Sequence, residues 1–153
     1  MENRNDGNEN PSTIRHLLYA EDEPLLRQAT TEALVNAGYE VDPTTDGSDA
    51  LTKAVSNISH YDLLITDHRM PRMDGLKLVR LLRQADFQGR ILVLAGSIGP
   101  DARSIYEQFH VDAIIRKPVR LALLLDTIDS LATLPRLSFY DRQRRDFPTQ
   151  PRA

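Results

Sequence analysis

The chain contains no cysteine, which excludes disulfide scaffolds, Cys-ligated zinc and thiol chemistry and makes a cytoplasmic location the expectation. It also lacks any apolar run near the roughly 18–20 residues that a bilayer crossing needs. The polar opening MENRNDGNENPST has no apolar h-region of a signal peptide, so neither membrane spanning nor secretion is expected. There is no excess of positive charge: 19 Lys and Arg stand against 22 Asp and Glu, a net charge of −3 without the global electrostatic footprint of a nucleic-acid binder. Neither a G-x-x-x-x-G-K-[ST] loop nor a G-x-G-x-x-G follows the first apolar run, and the strand-end acids do not form the D-x-D pattern of aspartyl phosphatases. A nucleotide-binding enzyme or a freestanding hydrolase therefore has little support.

What is present suits one folded domain. The 153 residues, 41% hydrophobic and 27% charged, are enough for a single core and too apolar overall for disorder throughout. Charge is unevenly placed. Residues 1–15 carry two Arg and three acids and residues 135–153 five Arg and two acids, so the segment between them holds −5 of the net −3. Residues 1–13 read as a disordered extension, 14–134 as the folded domain and 135–153 as a basic tail with three prolines. A solvated extension is the favoured reading of that tail. Weak binding of nucleic acid or an acidic partner through its Arg and aromatic residues is the alternative.

Short apolar runs alternate with segments of helical period, the pattern of βα units around a parallel sheet. The runs are His16–Ala20, Tyr39–Val41, Tyr61–Thr66, Arg90–Ala95 and Asp112–Arg116; the third and fourth contain continuous apolar stretches, as central strands covered on both faces require. Helices are expected from Pro24 to Ala37 with Gly38 as a left-handed cap, and from Gly47 with Ala50, Leu51, Ala54, Val55 and Ile58 on one face. Three more are expected: from Gly75 to just before Gln88, over Pro100–His110, and over Leu121–Leu134. Right-handed crossovers give five such units a three-layer α/β/α sandwich, whose ligands gather at the carboxyl ends of the strands.

The residues just past those ends form a coherent set: Glu21-Asp22-Glu23, Asp67, Ala95-Gly96-Ser97 and Lys117-Pro118. Carboxylates this close repel one another unless a cation lies between them, which points to a hard divalent ion with oxygen ligands, Mg²⁺ first among them. A lysine on the same edge suits a phosphoryl oxygen. Singly, each piece has a plain structural explanation. Glu21 and Asp22 could cap a helix, Asp67 could pair with Arg69 in an exposed turn, Lys117 could be a solvated loop cation, and Met70 and Met73 could fill gaps in the core.

Taken together, LLYAEDE, TDHRMPRMDG with its D-x-x-M-P-x-M-D-G spacing, and IIRKP make residues 14–134 resemble the receiver domain of two-component response regulators. The resemblance implies a flavodoxin-like (βα)5 fold and Asp67 as the acceptor of a phosphoryl group from a sensor histidine kinase or phosphotransfer protein. It implies Mg²⁺ held directly by Asp22 and Asp67 and the backbone carbonyl of Arg69, with Glu21 acting mostly through water. Lys117 would pair with Asp67 at rest and with the phosphoryl group afterwards. Pro71 and Gly75 would shape the turn after Asp67, Gly75 by admitting a positive φ and a close backbone approach.

Two positions depart from the family pattern. Ala95 stands where a Thr or Ser hydroxyl usually donates to the phosphoryl group, leaving Ser97 as the candidate substitute, and Ile114 stands where an aromatic ring usually moves with that hydroxyl. His68 reads as a neutral surface histidine. The expected function is a single-domain response regulator without an output domain of its own. It would signal through a downstream effector or through self-association on the face of the fourth helix, fifth strand and fifth helix. The alternative is a pseudo-receiver, a binding module that works without phosphorylation. Catalysis beyond self-phosphorylation and self-dephosphorylation is not expected.

Overall fold

The computed structural model describes residues 13–133, so the readings made for the two ends lie outside the described residues apart from Thr13. Five strands, β1 (His16–Ala20), β2 (Glu40–Thr44), β3 (Leu63–Asp67), β4 (Arg90–Ala95) and β5 (Ala113–Arg116), alternate with five helices. The helices are α1 (Pro24–Asn36), α2 (Gly47–Ser56), α3 (Gly75–Gln84), α4 (Pro100–Gln108) and α5 (Leu121–Ala132). All strand pairs are parallel, in the order β2-β1-β3-β4-β5.

Side chains alternate across a strand, so each strand feeds two layers. Leu18 and Ala20 of β1, Leu64 of β3, and Ile91 and Val93 of β4 pack with Ala50, Ala54, Leu78, Leu82 and Tyr106 from α2, α3 and α4. Their neighbours Leu17, Tyr19, Leu63, Ile65, Leu92 and Leu94 pack on the opposite face with Leu34, Leu124 and Ile128 from α1 and α5. This is the three-layer sandwich expected from the run pattern.

The differences lie mainly at element ends. β2 starts one residue later than the Tyr39–Val41 run and ends three residues later, at Thr44, and includes Pro43. As an edge strand it needs no backbone N–H there for an outer neighbour, which is why proline is tolerated. Gly38, at φ 103°, follows α1 as its left-handed cap. Val55 of α2 is exposed rather than part of the buried face, and α2 stops before Ile58.

α3 ends at Gln84 rather than near Phe87. Asp86 adopts φ 67°, and the chain turns so that Phe87 is buried in the core. Arg83 is buried with it. Its guanidinium donates to the carbonyls of Phe87 and Gly89 at 2.7 and 2.8 Å and of Phe109 and His110 at 3.0 Å, tying the end of α3 to the end of α4. α4 ends at Gln108 rather than at His110, and α5 is described to Ala132.

Candidate functional site

Register brings the strand ends together. Ala20 is opposite Thr66, so Glu21 leaves β1 beside Asp67, the last residue of β3. On the other side, Ala95 ends β4 and its carbonyl accepts from the Lys117 N–H at 2.9 Å. The Lys117–Pro118 peptide is cis. Lys117 Nζ lies 2.6 Å from Asp67 Oδ1 and 3.5 Å from Glu21 Oε2.

Asp67 and Glu21 are buried, each about 1% exposed, whereas Asp22 faces solvent. Burial pushes the Asp67 carboxyl above its ordinary range, and the Lys117 ammonium opposes that shift. Lys117 meets Oδ1 as an ion pair without aligned hydrogen-bond geometry, and the buried Oδ2 has no hydrogen-bond partner. One carboxylate oxygen from each of Glu21, Asp22 and Asp67 falls within 4.8 Å of the others. Buried, unsatisfied carboxylate oxygen beside two further carboxylates is a donor set that fits a hard divalent cation.

The plain structural readings of these residues fare unevenly. Neither Glu21 nor Asp22 caps α1: Glu23 is the N-cap residue and makes no side-chain capping bond. Asp67 is paired with Lys117 rather than Arg69, and Lys117 is an ion-paired group only partly open to solvent. Met70 and Met73 do pack against the core, as gap-filling residues would.

The turn after Asp67 is fixed by its backbone. The Gly75 N–H donates to the His68 carbonyl at 2.9 Å, and a Cβ on Gly75 would stand 2.2 Å from the Asp67 carbonyl oxygen. Close approach is thus the reason for glycine. Its φ is not positive; the left-handed residue of this turn is Arg72, at φ 66°. Asp74 then caps α3 by accepting from the Lys77 N–H at 2.9 Å.

Ala95 is buried and Ser97 exposed. Together with His68, Arg69, Gly96 and Lys117 they line an open cleft of about 320 Å³ beside the acids. Ile114 packs against the core on the α3–α4 side, and a cavity of about 310 Å³ lies between positions 95 and 114, bounded also by Ile98, Arg103 and Arg116.

His68 is not a surface residue. It is half-buried, with Nδ1 2.6 Å from the hydroxyl of the fully buried Tyr106 on α4, the rings tilted 69° at 5.5 Å. Burial pushes its imidazole pKa below the usual range, and Nδ1 and the tyrosine hydroxyl share a hydrogen bond. Nothing in local sequence pairs residues 38 positions apart. The Arg27 guanidinium was equally invisible; it donates to the Glu21 carbonyl at 2.8 Å and holds the β1–α1 loop.

Fold and site define an α/β signalling module of the CheY-like kind, with acids and a lysine at the carboxyl edge of its sheet. A family model described as a response regulator receiver domain matches residues 17–129, and the chain belongs to that family. Over 115 residues it is 36% identical to the sensor protein EvgS of Escherichia coli strain K12, covering 75% of this chain and 9% of that protein. Over 109 residues it is 32% identical to the transcription factor prr1 of Schizosaccharomyces pombe, covering 71% of this chain and 20% of that protein. The chain therefore spans only a small part of these relatives. Among solved structures, Vibrio cholerae chemotaxis protein CheY4 superposes with a TM-score of 0.69 at 28% identity, covering 77% of this chain and 98% of that one. A CheY-like receiver domain protein from Methanospirillum hungatei gives 0.72 at 20% identity over 87% and 99%, a likeness of fold alone.

Proposed function

We propose that the protein is a response regulator whose Asp67 accepts a phosphoryl group from a histidine kinase or phosphotransfer protein in a Mg²⁺-dependent reaction. The observation that carries this reading is the buried Asp67 carboxylate, with one oxygen on Lys117 and the other without a hydrogen-bond partner, grouped with Glu21 and Asp22. The Asp67 carboxylate attacks the phosphorus of a phosphohistidine; an O–P bond forms, the N–P bond breaks, and the imidazole departs and takes up a proton. Glu21, Asp22, Asp67 and the Arg69 backbone carbonyl would hold the ion. When bound, it supplies positive charge against the oxygens of the transferring group.

Lys117 already bridges Asp67 and Glu21, and it turns to a phosphoryl oxygen once Asp67 has become an acyl phosphate. Gly75 and the Asp67–Asp74 turn keep the nucleophile's backbone fixed. Ser97, on the wall of the same cleft, is the hydroxyl nearest in sequence to the position that Ala95 leaves without one. The module acts in the cytoplasm and passes its state to an effector protein or to a second copy through the α4–β5–α5 face. Its own chemistry is limited to gaining and losing the phosphoryl group.

Ala95 and Ile114 favour a second reading, a pseudo-receiver that binds partners without phosphorylation. Treatment with phosphoramidate and Mg²⁺, followed by intact mass, separates the two. The primary reading expects one added phosphoryl group that Asp67→Asn abolishes, whereas a chain that stays unlabelled beside an ordinary receiver is a pseudo-receiver.

A further inference from the structure

Resting on the phosphoacceptor reading of Asp67, we propose that His68 and Tyr106 are a positioning pair. Their hydrogen bond carries the state of the phosphoacceptor loop into α4, in place of the hydroxyl and aromatic ring that positions 95 and 114 lack.

The pair joins the residue after Asp67 to α4. His68 directly follows Asp67, and its backbone is fixed at both ends: its N–H donates to the Leu94 carbonyl and its own carbonyl accepts from the Gly75 N–H, each at 2.9 Å. His68 lines the cleft shared with Arg69, Ser97 and Lys117, where a phosphoryl group on Asp67 would emerge. From its ring, the 2.6 Å contact leads to the Tyr106 hydroxyl.

Tyr106 is the one buried residue of α4. Its ring sits in the core with Leu78, Leu82 and Val93, and its hydroxyl lies 3.1 Å from where a Cβ on Gly75 would stand. The helix's one fully buried side chain thus has a polar end that touches the residue adjacent to the phosphoacceptor. A buried tyrosine hydroxyl that loses its hydrogen-bond partner incurs a desolvation penalty, so a displaced His68 ring must be followed by Tyr106 or leave it unsatisfied.

The trigger is a change of charge. Phosphorylation puts two or more anionic oxygens where one carboxylate stood, and Lys117, now 2.6 Å from Asp67 Oδ1, must re-pair. Because His68 shares the cleft wall with Lys117, that rearrangement reaches its ring first. Ala95 and Ile114 offer no competing route: neither side chain has a hydrogen-bonding group.

The test is hydrogen exchange over Pro100–Gln108, read by mass spectrometry before and after treatment with phosphoramidate and Mg²⁺, with labelling at Asp67 measured on the same samples. The full chain is compared with Tyr106→Phe, which keeps the ring and its packing, with His68→Asn, and with the double variant. The wild-type chain is expected to label and to change its α4 exchange. Tyr106→Phe and His68→Asn are expected to label equally and lose that change, and the double variant to match either single one. Labelled variants whose α4 responds as the wild type does, or losses that add in the double variant, overturn the pair's role. So does a labelled wild-type chain whose α4 exchange does not move. An unlabelled wild-type chain is a different failure: it removes the phosphoacceptor reading itself, and the inference with it.

Discussion

Ala95 stands where the receiver resemblance leads one to expect the hydroxyl of a Thr or Ser. The side chain is buried and has no hydroxyl, yet a cavity of about 310 Å³ borders it, so a larger residue fits without displacing the core. Ala95→Thr should therefore add a donor to a charged acceptor, worth about 1.5–3 kcal/mol, and speed phosphoryl labelling about 10-fold or more. Labelling kinetics with phosphoramidate check this, and an unchanged rate would mean that Ser97 already provides the hydroxyl. The acids, the lysine and Asp67 were legible in the sequence because each sits one step beyond an apolar run, and parallel strands bring such positions to one edge. The His68–Tyr106 pair and the Arg27 tie were not legible. Their partners are set by how α4 and α1 lie on the sheet, which no local pattern encodes.

Helices and turns carry the next level of control. At the start of α3, Gly75 leaves no room for a side chain: Gly75→Ala places a Cβ 2.2 Å from the Asp67 carbonyl oxygen, and should cost about 1–3 kcal/mol of stability by overpacking. Denaturant titration measures that loss, and a variant as stable as the parent would refute the close approach.

Asp46 does parallel work at the start of α2. Its carboxylate accepts from the Asp49 N–H at 2.8 Å and pairs with the Arg72 guanidinium, contacts that hold its pKa below the ordinary value of 3.8, with the Asp49 hydrogen bond contributing most. A lowered carboxyl pKa adds stability above the ordinary value and loses it as pH falls through the folded one. Asp46→Ala should thus cost about 0.5–2 kcal/mol near neutral pH, and the gap to the parent should narrow below about pH 4. Unfolding at pH 7 and pH 3 compares the two, and a gap that stays constant would contradict the assigned pairing.

Element existence and order were readable throughout, since the continuous apolar runs and the Pro, Gly and Asp-Gly punctuation fall where the strands and helices begin and end. Boundaries were less so. Pro43 hides the length of β2 because only an edge strand can include it, and the α3 terminus depends on Arg83 gathering four carbonyls from two separate loops.

For the molecule as a whole, three acids of the domain, Glu21, Asp22 and Asp67, meet Lys117 at one end of the sheet. A cation that binds there binds the folded chain and not the unfolded one, so Mg²⁺ should raise the thermal midpoint, by the equivalent of about 2.7 kcal/mol at 100 times its Kd. Asp22→Asn should remove most of that rise; an undiminished rise in the variant would place the ion elsewhere. The family assignment and the fold rest on features spread over residues 17–129, and they stand independently of the departures at Ala95 and Ile114. Under the proposed function, those departures bear on how the acceptor's state is conveyed. The central claim, that Asp67 accepts a phosphoryl group, is tested most directly by intact mass after incubation with phosphoramidate and Mg²⁺. A single phosphoryl increment, absent in Asp67→Asn and absent when Mg²⁺ is chelated, is the predicted result; a wild-type chain that gains no mass, or an Asp67→Asn chain that gains the same mass, would contradict it.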